Sequence, residues 1–291
     1  MRKDLLVFGQ PLIEQDEIDE FLDSVRSCWL GTGKKVGMFE QDFATYKNVK
    51  YAAAVSSCSA ALHLSCLALN IKPGDEIITT AMTFCSTVNA IIHAGAVPVL
   101  ADIHADTLNI DPAEIEKKIS GKTRAIIVVH FAGRPCDMDS IIRIAAKHHL
   151  TVIEDCAHAI ESEYKSKPCG TIGDIGCFSF YPTKNITTGE GGMVISDNGQ
   201  LISRIKTIAL HGLSHDAWSR FSDEGYKHYY VQDAGFKYNM TDLQAAFGIH
   251  QLKRIENYRE RRKRIWDFYN AELKDLPIVL PCREAADCKH A

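Results

Sequence analysis

The sequence predicts an α/β fold with a mostly parallel sheet covered by helices on both faces, and three observations predict it. Short β-rich runs recur at Glu76–Thr79, Val97–Ala101, Ala125–Val129 and Thr151–Glu154. Helical patterns fill the intervals at Ser86–Ala94, Pro112–Lys118 and Met138–His148, and strands that alternate with helices imply parallel pairing. The chain has 291 residues, 46% of them hydrophobic and 24% charged, which is enough to bury a substantial core.

Upstream of these runs, Phe39–Tyr46 and Ser59–Leu69 carry helical patterns. No internal repeat, low-complexity tract or Pro/Gly-rich linker divides the first 250 residues, so 1–250 is expected to form one large domain. After about residue 240 the pattern changes to one long charged amphipathic helix, Thr241–Leu273, rich in Arg and Lys from Lys253 to Lys263. A basic run of this kind is read as a solvated helix face. Residues 251–291 are expected to hold this linking helix and the start of a smaller C-terminal domain.

Charge and targeting signals exclude several classes. The net charge of −4 arises from 37 acidic and 33 basic residues spread along the chain, which leaves no basic stripe for a nucleic acid. The start, Met1–Gln10, contains only a four-residue apolar run, too short for a signal-peptide core. No apolar stretch approaches the roughly 20 residues that cross a bilayer, so no membrane partner and a cytoplasmic location are expected. The ten cysteines lack C-x-x-C spacing in their closest pairs, Cys58/Cys66, Cys169/Cys177 and Cys282/Cys288, and read as reduced, mostly buried thiols. His211 and His215 could share a helical face, but no Glu stands between them as in H-E-x-x-H, and no metal is expected.

The densest chemical signal is Gly176-Cys-Phe-Ser-Phe-Tyr-Pro-Thr-Lys-Asn-Ile-Thr-Thr-Gly-Glu-Gly-Gly-Met-Val194. An apolar β-type run breaks at Pro182, and Lys184 and then Gly189, Gly191 and Gly192 follow, which sets one lysine on an irregular segment where backbone can approach a ligand. A surface lysine beside a glycine turn fits the local composition equally well. The second signal is Val152-Ile-Glu-Asp-Cys-Ala-His-Ala159, a strand that ends in Glu154 and Asp155. In open α/β sheets ligands gather beyond the carboxyl ends of strands. A carboxylate there can hold a pyridine nitrogen cationic and make the ring an electron sink, whereas the alternative for Asp155 is a helix N-cap.

Together these segments resemble the DegT/DnrJ/StrS group of sugar aminotransferases, which belong to the fold type I enzymes that depend on pyridoxal 5′-phosphate (PLP). The resemblance runs through nearly the whole chain: Trp29-Leu-Gly-Thr-Gly33, Val55-Ser-Ser-Cys-Ser-Ala-Ala-Leu62, Met82-Thr-Phe84, Gly95-Ala-Val-Pro98, His130-Phe-Ala-Gly133, the two segments above, and Gly235-Phe-Lys-Tyr-Asn-Met-Thr-Asp-Leu-Gln-Ala-Ala246. It implies an imine between Lys184 and the cofactor, Asp155 on the pyridine nitrogen, His158 near the ring hydroxyl and Phe84 stacked on the ring. It further implies a phosphate held at a helix N-terminus by the backbone of Ser59 and Ala60 and the hydroxyls of Ser59 and Ser179. Relatives usually have Gly-Thr where this chain has Cys58-Ser59.

Asn239 would reach the phosphate in a neighbouring subunit, which implies a homodimer with shared active sites; from the sequence alone it could equally cap the helix that begins near Thr241. The implied reaction moves an amino group from an amino acid, glutamate by resemblance, to a keto-sugar carried by a nucleotide, with Trp29–Gly33 and the stretch from His211 to Tyr230 as candidate sugar-nucleotide contacts. Two alternatives stand beside it. A PLP-dependent sugar dehydratase of the same fold carries His at the lysine position, and a non-catalytic PLP-binding or regulatory protein would suit a chain that stops at Cys288-Lys-His-Ala291, where relatives are just entering the smaller C-terminal domain. Most of that domain is expected to be absent.

Overall fold

The computed structural model describes residues 5, 7–214 and 230–291. Its elements run α1 (Gln15–Arg26), α2 (Lys34–Lys47), β1 (Tyr51–Val55), α3 (Cys58–Ala68), β2 (Glu76–Thr80), α4 (Cys85–His93), β3 (Val97–Ala101), α5 (Pro112–Lys118), β4 (Thr123–Val129), α6 (Met138–His148), β5 (Thr151–Asp155), β6 (Glu163–Tyr164), β7 (Lys167–Pro168), β8 (Ile175–Ser179), β9 (Gly192–Ser196), α7 (Gly199–Ala209), α8 (Asp242–Lys253), α9 (Ile255–Glu272) and β10 (Cys288–Lys289).

Seven strands form the main sheet in the order β1-β9-β8-β5-β4-β2-β3, and only β9 runs against its neighbours. The expected mostly parallel sheet is therefore present. Three short strands, β10-β6-β7, make a separate ribbon. Successive side chains of a strand face opposite sides, and the core divides accordingly. Ile153, Ile127, Ile77 and Val194 pack with α3, α4 and α7 on one face. On the other, Val152, Val128 and Ile126 pack with α6, while Phe178, Met193 and Ile195 pack with Phe39 and Phe43 of α2 and Ile249 of α8.

The expected single helix over Thr241–Leu273 is two helices. Arg254 leaves helical geometry at φ −106° and ψ 2°, and its guanidinium pairs with the fully buried Glu17 and with Glu14 and Asp16. On one side of this break α8 is buried against α1 and α2; on the other α9 keeps only Ile255 buried. Apolar periodicity reports a face and carries no sign of a partner that captures one side chain and breaks the ladder. Residue 250 lies inside α8.

Helix starts follow side-chain capping. Thr241 and Gln244 form a capping box at α8, so Thr241 and not Asn239 is the cap. The start of α2 has no cap of its own; Asp242 of α8 supplies one by accepting from Gly33, Lys35 and Val36 N–H at 2.8, 3.2 and 3.0 Å. Among the described residues no helix is long and apolar enough to cross a membrane. The ten cysteines are unpaired, six of them buried.

Candidate active site

The parallel strands β2, β4, β5 and β8 end on one side of the sheet, where a cavity of about 450 Å³ opens. Lys184, Asp155, His158, Phe84, Ser59 and Ser179 all line it. Residues separated by up to 125 positions in the sequence thus meet at one strand edge, as open parallel sheets arrange.

Asp155 closes β5 and is 4% exposed. Its Oδ2 accepts from the Thr87 hydroxyl at 2.8 Å and its Oδ1 from Ala157 N–H at 3.1 Å, with the Cys58 thiol at 3.9 Å. No helix follows it, so the N-cap alternative does not hold. Lys184 lies on the irregular segment between β8 and β9, in a turn closed by Lys184 N–H to Tyr181 O at 2.9 Å and Thr188 N–H to Phe180 O at 3.0 Å. Burial pushes the Lys184 amine below its ordinary value, although the charge of Asp155 opposes this. His158 is also held low, first by burial and then by the Lys184 charge, so its ring is neutral at neutral pH.

Phe84 is the N-cap residue of α4 and its side chain is 74% exposed, an aromatic face left open at the cavity wall. At the start of α3 the Ser57 hydroxyl caps the helix by accepting from Ala60 N–H at 3.1 Å. That bond occupies one of the two N–H groups expected to bind an anion and leaves the N–H and hydroxyl of Ser59 open, beside the buried Ser179 hydroxyl. Cys58 is an ordinary first-turn residue with negative φ, so the local backbone does not need the glycine found in relatives.

Gly192 is required for a different reason. A Cβ there would come within 2.5 Å of the Ser57 carbonyl carbon and 2.7 Å of Cys58 N. Gly192 therefore lets β9 pass directly beneath the start of α3. Sequence reasoning missed Ser57, Thr87, Thr183 and Glu190. An N-cap three residues before Ala60 was the available signal for Ser57, and nothing local pointed to Thr87.

Asn239 does not line this cavity. It lines a second one of about 400 Å³ together with Thr32, Gly33, Glu40, Tyr51 and Lys206, and its amide donates to the Thr32 hydroxyl at 2.6 Å. None of Trp29–Gly33 lines the Lys184 cavity, and Thr32 and Gly33 line the second one. Of the stretch from His211 to Tyr230, residues 215–229, including His215, lie outside the described residues.

A buried set on the other face, His130, Glu154 and Cys156, has ligand atoms within 4.8 Å of one another. His130 Nδ1 accepts from Cys136 N–H at 3.1 Å, which leaves the proton on Nε2, 2.8 Å from Glu154. An imidazole in that tautomer keeps one lone pair, on Nδ1, and the Cys136 N–H already occupies it. Glu154 also accepts from Gly170, Ile172 and Gly173 N–H at 2.7, 2.8 and 2.6 Å. Burial alone would raise its carboxyl pKa, but the hydrogen bond from His130 first, and then those from Gly173 and Gly170, outweigh it and hold it below the ordinary value.

The fold is that of the fold type I aminotransferases, and comparison with known proteins gives the family. The family model of the DegT/DnrJ/EryC1/StrS aminotransferases matches residues 11–291, and the chain belongs to that family. An uncharacterised protein of Methanocaldococcus jannaschii is 50% identical over 291 residues, which cover 100% of this chain and 75% of that protein. The spore coat polysaccharide biosynthesis protein SpsC of Bacillus subtilis is 46% identical over 290 residues, with the same coverage of 100% and 75%. Among solved structures, the PMP form of Spr1654 of Streptococcus pneumoniae, assigned as a sugar aminotransferase, superposes with a TM-score of 0.92 at 32% identity, covering 98% of this chain and 77% of that one. Its PLP form gives a TM-score of 0.91 over 98% and 76% at the same 32% identity.

Proposed function

We propose that the chain binds PLP in the Lys184 cavity and transfers an amino group from an amino acid, glutamate, to a keto-sugar linked to a nucleotide. One observation carries this reading. A single cavity brings together the Lys184 amine, the Asp155 carboxylate, the open Phe84 ring and Ser59 at the start of α3. These suit, in turn, an aldehyde, a pyridine nitrogen, a flat ring face and a phosphate dianion. Membership of an aminotransferase family and the PLP and PMP forms of the pneumococcal relative support the cofactor. The sugar acceptor is supported by that relative and by SpsC, whose name places it in polysaccharide biosynthesis.

When bound, the cofactor supplies an electron sink for the carbon that loses its proton. The chain's own groups do the rest. Lys184 Nζ would hold the cofactor covalently and, when free, would take the proton from the donor's α-carbon and pass it on. Its lowered pKa keeps a neutral amine available for that step. Asp155, fixed by Thr87 and Ala157, holds the ring nitrogen protonated. Ser59 and Ser179 would bind the phosphate, neutral His158 would contact the ring hydroxyl, and Phe84 would cover one ring face and exclude water from it. Asn239, in the second cavity, reaches the phosphate of a second copy, so the working unit is a dimer with shared sites.

The test is an absorption spectrum of the purified protein with PLP, before and after glutamate. A long-wavelength band that collapses on addition of glutamate is the expected result. A Lys184→Arg variant should lose both the band and turnover; normal turnover in that variant overturns the assignment.

A further inference from the structure

Glu161 is a buried carboxylate that the chemistry above does not use. It lies three positions past His158, is 2% exposed, and both its oxygens take donors. Oε2 accepts from Asn185 Nδ2 at 2.5 Å, and Oε1 from the guanidinium of Arg262 on α9. Asn185 is the residue next to Lys184. Among the described residues this is the one side-chain hydrogen bond between the segment that carries His158, 156–162, and the segment that carries Lys184, 181–190.

The two segments are held in different ways. Residues 160–162 sit on a rigid platform: the fully buried Lys47 donates to Ile160 O at 2.8 Å, and the Ser162 hydroxyl to Gly133 O at 2.6 Å. The Lys184 turn is closed by its own backbone bonds and anchored by the buried Ile186, which shares a core cluster with Ala159 and Ile160. The bond to Glu161 adds a directional hold on the residue next to Lys184. Arg262 in turn fixes which way the Glu161 carboxylate points, since a charge-assisted bond of this kind is both strong and directional.

We propose that Glu161, clamped by Arg262, positions the Lys184 amine through Asn185. This deepens the functional reading above and rests on it. Glu161 touches neither substrate nor cofactor and acts as a positioning residue; a shift of an ångström in the segment it holds is enough to slow a proton transfer about a hundredfold. The role belongs to the contact and not to the bulk stability of the chain, so it leaves a kinetic and spectroscopic trace.

Four PLP-loaded proteins test it: wild type, Asn185→Ala, Glu161→Gln and the double variant, each followed by the pH midpoint of its visible absorbance, by kcat and KM for the amino donor, and by thermal melting. Asn185→Ala removes a half-buried amide without stranding a charge, so it stays folded even where Glu161→Gln does not. The expected result is a displaced midpoint, a kcat lower by about ten- to a hundredfold with KM within about twofold, and a double variant no worse than the poorer single one. An Asn185→Ala protein with the wild-type midpoint and kcat overturns the proposal, whatever its melting temperature, and so do losses that add. Absence of any visible band in the wild type is a separate outcome, which removes the functional reading and this inference with it.

Discussion

Two carboxylates adjoin at the end of β5 and lie on opposite faces of the sheet, and their surroundings differ in kind. Glu154, on the face of Val152, is fully buried and saturated: an imidazole and three backbone N–H groups fill its oxygens. Asp155, on the face of Ile153, has a hydroxyl, one N–H and a distant thiol, and borders open space. The comparison shows how one strand end serves two purposes. A carboxylate whose lone pairs are all taken can only hold the fold together, whereas one whose orientation is fixed with capacity left over can take a ligand.

Substitutions at the two positions should therefore separate stability from chemistry. Asp155→Ala is expected to lower turnover by about a thousandfold, in the range for loss of a group that stabilises developing charge, while stability in urea changes by about 1 kcal/mol or less. Glu154→Gln should do the reverse, costing about 3 kcal/mol because its buried partners lose their acceptor. Equal losses of stability at both positions would dissolve the distinction. Glu154 also sets an acid limit. Since the folded-state pKa of Glu154 lies below its ordinary value, its stabilisation is complete above the ordinary glutamate pKa and is lost as pH falls through the lower value. Acid denaturation of wild type should be steeper there than that of Glu154→Gln, and identical acid limbs would contradict it.

Smaller effects sharpen the picture of Asp155. Thr87→Val removes its hydroxyl donor and should slow turnover about tenfold with the fold intact, read as kcat against melting temperature. Ser57→Ala strips the cap from α3 and should cost about 1 kcal/mol, measured by urea unfolding, with weaker PLP binding as the start of the helix frays.

Much of this was legible in the sequence because strands and helices announce themselves by local pattern. The run Val97–Ala101 is β3 residue for residue, and Pro112–Lys118 and Met138–His148 are α5 and α6. Lys184 and Asp155 could be singled out because each sits where a regular run breaks. What stayed hidden was non-local. β1 joins the sheet at an edge through antiparallel pairing with β9, more than 130 residues away, which no local period encodes. Thr87 meets Asp155 across 68 positions, and Arg254 breaks a helix because Glu17 lies 237 positions off. The place of Asn239 in a second cavity is of the same kind, since its neighbours Thr32 and Tyr51 come from the far end of the chain.

The proposed chemistry depends on Lys184, and the most direct measurement is borohydride reduction of the PLP-loaded protein followed by peptide mass mapping. The predicted result is a reduced pyridoxyl group on the peptide that contains Lys184 and on no other. A label on a different lysine, or no label on a protein that holds PLP, would contradict it.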